Sequence, residues 1–306
     1  QVSTRIQSYQ SVGHPTDKIE LLILGGSWTN YPDDYQIWFV QRCLDAMNET
    51  DSSSLKEAQL INETSKHRNV GMAIETRPDL ITGEILRKLR VLGVTKIQLG
   101  IQSLNDEILK LNNRGDTVNN SLHAVALLRA AGFKIVLHWM PNLFGATPES
   151  DIEDFTHFWQ SPDEGYGFCP DELKIYPVQL LQGTRLYEIW QEGKYHPYDT
   201  ETLIDVISQV KPMVKPYCRI NRVIRDIPSN HVVEGNKRSS LRMDIQKKMT
   251  DRGQKCVCIR CREIKSEKVK SSDLALQDYL YTAAYADEHF LQYVTPKDKI
   301  AGYLRL

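Results

Sequence analysis

Val70-Gly71-Met72-Ala73-Ile74-Glu75-Thr76-Arg77-Pro78-Asp79 and, further on, Gln98-Leu99-Gly100-Ile101-Gln102-Ser103 each begin as an apolar run and end abruptly in polar residues. Val70 to Ile74 reads as a buried strand, with Glu75 and Arg77 just past its end. Ile97 to Ile101 reads as the next strand, with Gln102 and Ser103 at its exit. Between them Ile81 to Leu92 repeats apolar residues at helical spacing, and Gly93 is placed to cap that helix. A strand–helix–strand unit of this parallel kind puts its chemistry at the carboxyl ends of the strands.

The pattern continues on both sides. Towards the amino end, Arg5 to Val12 reads as a helix, Ile19 to Leu24 as a strand closed by Gly25-Gly26-Ser27, and Asp33 to Met47 as an amphipathic helix. Towards the carboxyl end, helices over Asn105–Leu111 and Asn119–Ala131 lead to a strand over Phe133–His138 and a helix over Glu149–Gln160. Leu173 to Pro177 is the next strand, Leu186–Trp190 and Thr200–Val214 are helices, and Arg219–Ile224 is the last strand of the series. Strand and helix alternate throughout, as in an α/β barrel or doubly wound sheet. After Asp226-Ile227-Pro228 the alternation stops. Helices are expected over Ser239–Thr250 and Asp273–Ala284, and Ile300–Leu306 reads as a strand without a partner.

The 306 residues are 41% hydrophobic and 25% charged, ordinary for a water-soluble protein, and no apolar stretch is long enough for a membrane span. With no export signal in view, a cytoplasmic location is expected, and the six cysteines are read as thiols or metal ligands rather than disulfides. The start without Met and the apolar end suggest a piece of a longer protein. The net charge of −1 hides an asymmetry: Asp205 to Lys270 holds 17 Lys or Arg against 7 Asp or Glu. Charge segregated in this way points to a nucleic-acid surface, or more plainly to a solvated helical face.

Two sets of residues carry chemistry. Cys256-Val257-Cys258-Ile259-Arg260-Cys261 puts three soft ligands in one short turn, which suits tetrahedral, structural zinc. Cys218 is the first candidate for a fourth ligand, with His231 and His289 as alternatives. The second set lies at strand exits: Glu75, Arg77, Gln102, His138, Asn142 and Lys174 converge if the sheet curls. Gly25-Gly26-Ser27 lets backbone approach a ligand closely, although a glycine pair after a strand is by itself only a turn. No serine-hydrolase elbow, H-E-x-x-H or phosphate-loop lysine is present.

At these residues the chain resembles the elongator protein three family, the catalytic subunit of Elongator, in its bacterial or archaeal form. The resemblance runs through Leu24–Ser27, Ile74–Asp79, Gly100–Ser103, Asn113-Arg114-Gly115-Asp116-Thr117, His138–Leu143, Leu173–Pro177, Arg225-Asp226-Ile227-Pro228 and Gly302–Leu306. It implies a partial (β/α) TIM-like barrel of the radical S-adenosylmethionine (SAM) type over 1–228, a basic zinc-binding module over 229–285, and the start of a GNAT-type acetyltransferase domain over 286–306. It implies a tRNA-modifying acyltransferase that starts a carboxymethyl group at carbon five of the wobble uridine, with SAM, a 4Fe-4S cluster, zinc and acetyl-CoA. The family's proposed chemistry generates a 5′-deoxyadenosyl radical, which a dry pocket protects.

By motif position the resemblance assigns Gly25, Gly26 and Ser27 to the methionine part of SAM, and Glu75, Arg77 and Gln102 to the rest of the cofactor pocket. Lys174 takes a catalytic place, and Arg222, Arg225, Lys237, Arg238 and Arg242 hold the tRNA backbone. A homodimer is allowed; a membrane partner is not expected. The family's cluster loop and acetyl-CoA loop are absent from these residues, so the segment alone is expected to be inactive. Two other classes stay open: a tRNA-binding scaffold, and a radical SAM enzyme of the coproporphyrinogen-oxidase-like group.

Overall fold

The computed structural model describes residues 1–225 and 227–306; Asp226, part of the Arg225-Asp226-Ile227-Pro228 segment, lies outside the described residues. Six strands form one sheet in their chain order, and three more form a second sheet. A sheet whose connections always step to the next neighbour has the connectivity of part of a (β/α) barrel, not of a sheet wound in both directions. The chain divides into two compact units, Gln1–Leu99 with Leu127–Lys134, and Gly100–Ala126 with Ile135–Leu306. Among the described residues no helix is long and apolar enough to cross a membrane.

The first unit holds α1 (Val2–Ser11), β1 (Lys18–Ile23), α2 (Asp33–Asn48), α3 (Leu55–Asn62), β2 (Arg68–Thr76), α4 (Gly83–Leu92) and the start of β3 (Lys96–Gln102). Strand β2 pairs in parallel with β1 and with β3, the latter from Ala73↔Lys96 to Thr76↔Leu99. Glu75 and Thr76 are therefore inside the strand, because ladder bonding carries it beyond the apolar run. Helix α4 starts where the Thr82 side chain accepts the Ile85 N–H and stops at Gly93, whose φ of 87° is the left-handed cap its sequence promised. Leu86, Leu89 and Leu92 are buried on one face of α4, each worth about 1.5–3 kcal/mol. Helix α3 has no counterpart in the sequence reading; the Ser54 side chain caps it through the Glu57 N–H.

The second unit carries the rest of β3, α5 (Asp106–Leu111), most of α6 (Val118–Ala130), and β4 (Lys134–Trp139) from Ile135 on. There follow α7 (Pro148–Thr156), β5 (Glu172–Ile175), α8 (Arg185–Gln191), α9 (Thr200–Val210), β6 (Arg219–Arg222), α10 (Leu241–Asp251) and the short α11 (Ile259–Arg262). Strands β4, β5 and β6 are parallel neighbours. Helix α9 gives way to a 3-10 turn over Lys211–Met213, short of the expected Val214, because Pro212 brings no N–H to continue it.

The second sheet is antiparallel: β7 (Ala275–Ala283), β8 (Ala286–Val294) and β9 (Ile300–Arg305). Two expectations fail here. Beyond Asp273, which ends a short 3-10 turn, residues 275–283 form a strand and not the expected helix. Leu276 and Leu280 have helical spacing, but Tyr279 and Tyr281 alternate with them, and Tyr281 stacks on Tyr217 with ring centroids 3.7 Å apart. The closing segment is also not unpartnered, since β9 pairs along β8. Arg305 bonds Asp171 at 2.6 Å and donates to the Tyr217 carbonyl at 2.7 Å, which fastens the sheet to the residues around β5 and β6.

Candidate functional site

The first unit offers a glycine turn and an acid. Gly25 and Gly26 have φ of 108° and 66°, and a Cβ added to either would meet no atom within 4 Å. Glycine is needed there for backbone conformation, and the turn is open. The Gly25 N–H donates to Glu75 Oε2 at 3.1 Å, so the turn after β1 and the end of β2 are brought together. Ser27 precedes a 3-10 turn and makes no side-chain cap bond. Arg77 is engaged locally, donating to Asp79 at 2.9 and 2.6 Å. Pairing across two residues is a signal the sequence itself carried.

In the second unit the strand exits are held from behind. Gln102 and Asn142 have φ of 67° and 71°, rare for side-chain-bearing residues. The Gln102 carbonyl accepts the Met140 N–H, and Arg114 donates to the Gly100 carbonyl at 2.7 Å. Asp151 of α7 accepts the Asn142 N–H at 2.7 Å and the Tyr198 hydroxyl at 2.9 Å, and Tyr195 donates to the Asn142 carbonyl at 2.8 Å. Asp154, one turn on, accepts from Trp139 Nε1 at 2.8 Å, the Leu104 N–H at 2.6 Å and the Ser103 hydroxyl at 3.1 Å. Burial raises Asp151 to about 7 and Asp154 to about 6, against the hydrogen bonds they accept. Sequence reasoning quoted Arg114 without giving it a role and missed Asp151 and Asp154. The two acids look like the solvated side of a helix; the available signal was Trp139, whose buried N–H needs an acceptor.

His138 and Lys174 face each other in register on β4 and β5. Burial first, and then the charges of Lys174 and Arg225, pull the His138 pKa down to about 3, so the ring is neutral at physiological pH. Its edge meets Tyr176, with ring centroids 5.4 Å apart.

The three sulfurs of Cys256, Cys258 and Cys261 lie within 4.8 Å of one another, the one such cluster of ligand atoms among the described residues. A tetrahedral zinc with bonds near 2.3 Å needs sulfurs about 3.8 Å apart, so the donor set fits it with little movement. Hydrogen bonds from Cys256 and Cys261 pull the Cys258 thiol down, making it the readiest thiolate. Cys218 stands outside this group. It is fully buried, and its carbonyl accepts the Ile259 N–H, so it supports the cysteine turn through its backbone. His289 is occupied by Asp278 at 2.6 Å.

Of the basic candidates, Arg222, Arg225, Lys237 and Arg238 are exposed. Arg238 faces Glu201 at 3.5 Å and Asp244 at 3.9 Å. Arg242 is half-buried and donates to the carbonyls of Ile220 and Asn221 at 3.2 and 3.4 Å, so part of its role is to hold β6.

With this geometry in hand, the comparisons with known proteins are specific. A model of the radical SAM superfamily matches residues 12–158, and one of the Radical_SAM C-terminal domain matches residues 170–251. A protein of Methanocaldococcus infernus named tRNA uridine(34) acetyltransferase is 42% identical over 313 residues, covering 100% of this chain and 58% of its own length. Human Elongator complex protein 3 is 34% identical over 313 residues, covering 100% of this chain and 56% of its own length. The solved structure of the archaeal Methanocaldococcus infernus Elp3 with an N-terminal deletion superposes with a TM-score of 0.94 at 42% identity, over 99% of this chain and 72% of that one. The chain thus spans less than three fifths of the length of these two curated relatives.

Proposed function

Because the chain belongs to the Elongator complex protein 3 family of the radical SAM superfamily, we propose that it is the radical SAM part of a transferase acting on the wobble uridine of tRNA. The modification is carboxymethylation at carbon five, with acetyl-CoA as co-substrate. The observation that carries this reading is identity of 42% along the whole chain to a protein named for tRNA uridine(34).

When bound, SAM with its iron–sulfur cluster supplies the radical that activates the acetyl methyl. Cluster ligands are not identified among the described residues, where Cys43 and Cys169 are buried and belong to no group of metal-ligating atoms. The residues at hand bind and orient. Gly25, Gly26 and Ser27 offer an open backbone turn to the methionine end of SAM, and Glu75 fixes that turn through the Gly25 N–H. Gln102, locked at positive φ, presents a set backbone to the cofactor. Lys174 supplies positive charge at the reacting end, beside a neutral His138. The basic residues Arg222, Arg225, Lys237, Arg238 and Arg242 hold the RNA backbone, whose phosphates dominate affinity.

Binding of tRNA across a salt series tests this reading. Tight binding that weakens steeply with salt is expected; no binding at low salt overturns the tRNA assignment for this chain. A structural zinc on Cys256, Cys258 and Cys261 is part of the same reading. Elemental analysis of the dialysed chain should find about one zinc per chain, and its absence removes the site.

A further inference from the structure

We propose that the ammonium group of Lys211 is the built-in counter-charge of a divalent metal ion held by Cys256, Cys258 and Cys261, and so a positioning residue of that site. This rests on the zinc reading above and adds to it a residue that the spacing of the cysteines does not disclose.

Burial carries the argument. Among the described residues two cationic side chains are buried, Arg262 at 6% exposed and Lys211 at 1%. Arg262 is matched by Asp298 at 2.5 Å. The Lys211 side chain makes no hydrogen bond and no ion pair with a described residue. An ammonium has three donors and no acceptor, and a buried charge left uncompensated is strongly destabilising. Lys211 stands at the end of α9, where the helix favours a cation. That preference does not call for burial, since a lysine stem ordinarily carries its charge out to water.

The backbone ties this lysine to the cysteine turn. Pro212 ends α9 and bends the chain through the 3-10 turn Lys211–Met213. The same segment runs on to Cys218, whose carbonyl accepts the Ile259 N–H at 2.9 Å. The turn that carries the three sulfurs is thus fastened to the loop that begins at Lys211. The lysine charge acts on those sulfurs: hydrogen bonds with Cys256 and Cys258 come first in setting the Cys261 thiol, and Lys211 also favours its thiolate. Arg242, on α10, already donates to the carbonyls of Ile220 and Asn221, so its charge has acceptors without the metal.

Charge balance names the partner. As neutral thiols the three cysteines offer an ammonium only weak acceptors. A divalent ion binds them as thiolates and releases their protons to water. The ion and its three thiolates together carry one net negative charge, which one ammonium cancels. Lys211 therefore gains its anion when metal binds, and the bound state gains an attraction that the free thiols lack. Groups behind the ligands hold a metal site in this way without touching the ion.

The test compares the unaltered chain with Lys211→Met and Lys211→Gln, each reduced and studied both loaded with zinc and stripped of it. Methionine fills the volume of the lysine stem without its charge, and glutamine is shorter and polar, so a loss common to both follows the charge. Zinc affinity, read by competition with a chromophoric chelator, should fall about tenfold in both variants. The thermal midpoint should fall in the zinc-loaded variants and stay level or rise in the stripped ones, which lose only an unbalanced charge. A lysine that serves packing alone lowers the midpoint equally in both forms and leaves zinc affinity as it was. That result overturns the inference while the zinc reading stands, and so does unchanged affinity at about one zinc per chain. If the unaltered chain binds no zinc, the zinc reading falls and takes this inference with it.

Discussion

Two strand exits reach the left-handed region of backbone space by opposite means. After β1, Gly25 and Gly26 turn with nothing within 4 Å of where a Cβ would stand. After β4, Asn142 makes the same kind of turn with a side chain, at φ 71°, and its backbone is pinned on both sides by Asp151 and Tyr195. The first exit is an open turn whose shape is intrinsic to glycine. The second is a wall whose shape is imposed by buried hydrogen bonds. The first exit keeps the space around its turn clear, and the second is braced from behind.

Three measurements break or sharpen this contrast. The largest effect should come from Asp154→Ala, which strips the acceptor from Trp139, Leu104 and Ser103 at once. Leaving these buried donors unsatisfied should cost about 3–5 kcal/mol in chemical denaturation. A loss under 1 kcal/mol would mean that the wall is not braced.

A smaller effect concerns pH. Asp151 is raised from 3.8 to about 7 and Asp154 to about 6, so folding holds both in the protonated form more strongly than the unfolded chain does. Their contribution is complete below about pH 4 and is lost as pH rises towards 7. Asp151→Asn should therefore flatten the difference in stability between pH 4 and pH 7; an unchanged difference would show that burial of Asp151 does not govern its protonation.

The smallest effect should be Gly25→Ala, about 1–2 kcal/mol from backbone strain alone, since the added methyl meets nothing. A cost above that of Asp154→Ala would reverse the comparison.

The same contrast explains what the sequence disclosed. The glycine turn, the strand–helix–strand unit and the Gly93 cap were legible because each depends on residues close together in the chain. Repeating that local pattern gave the strand–helix alternation and left an α/β barrel and a doubly wound sheet both open; the partial barrel came from the family resemblance. The brace was hidden, because Asp151 and Asp154 sit on a helix rich in acids and nothing local marks them as buried. Residues 273–284 misled for a related reason: leucines four apart satisfy a helix, and only β8, across the hairpin, selects the strand. Glu75 was placed past its strand because the ladder to Gln98 is not written in the apolar run. At the candidate site, the Gly25 N–H donates to Glu75, and Arg77 pairs with Asp79, only two residues away.

The pair of Asp171 and Arg305 has a consequence for the making of the protein. Asp171 is 2% exposed and takes the Ile135 N–H into its side chain, yet the arginine that balances it is made much later. At about 5–20 residues per second, synthesis separates the two by on the order of ten seconds. Through that interval the nascent strands around Asp171 hold a carboxylate whose arginine is not yet made. Strand β9 thus acts as a latch, and the order of translation sets when it can close.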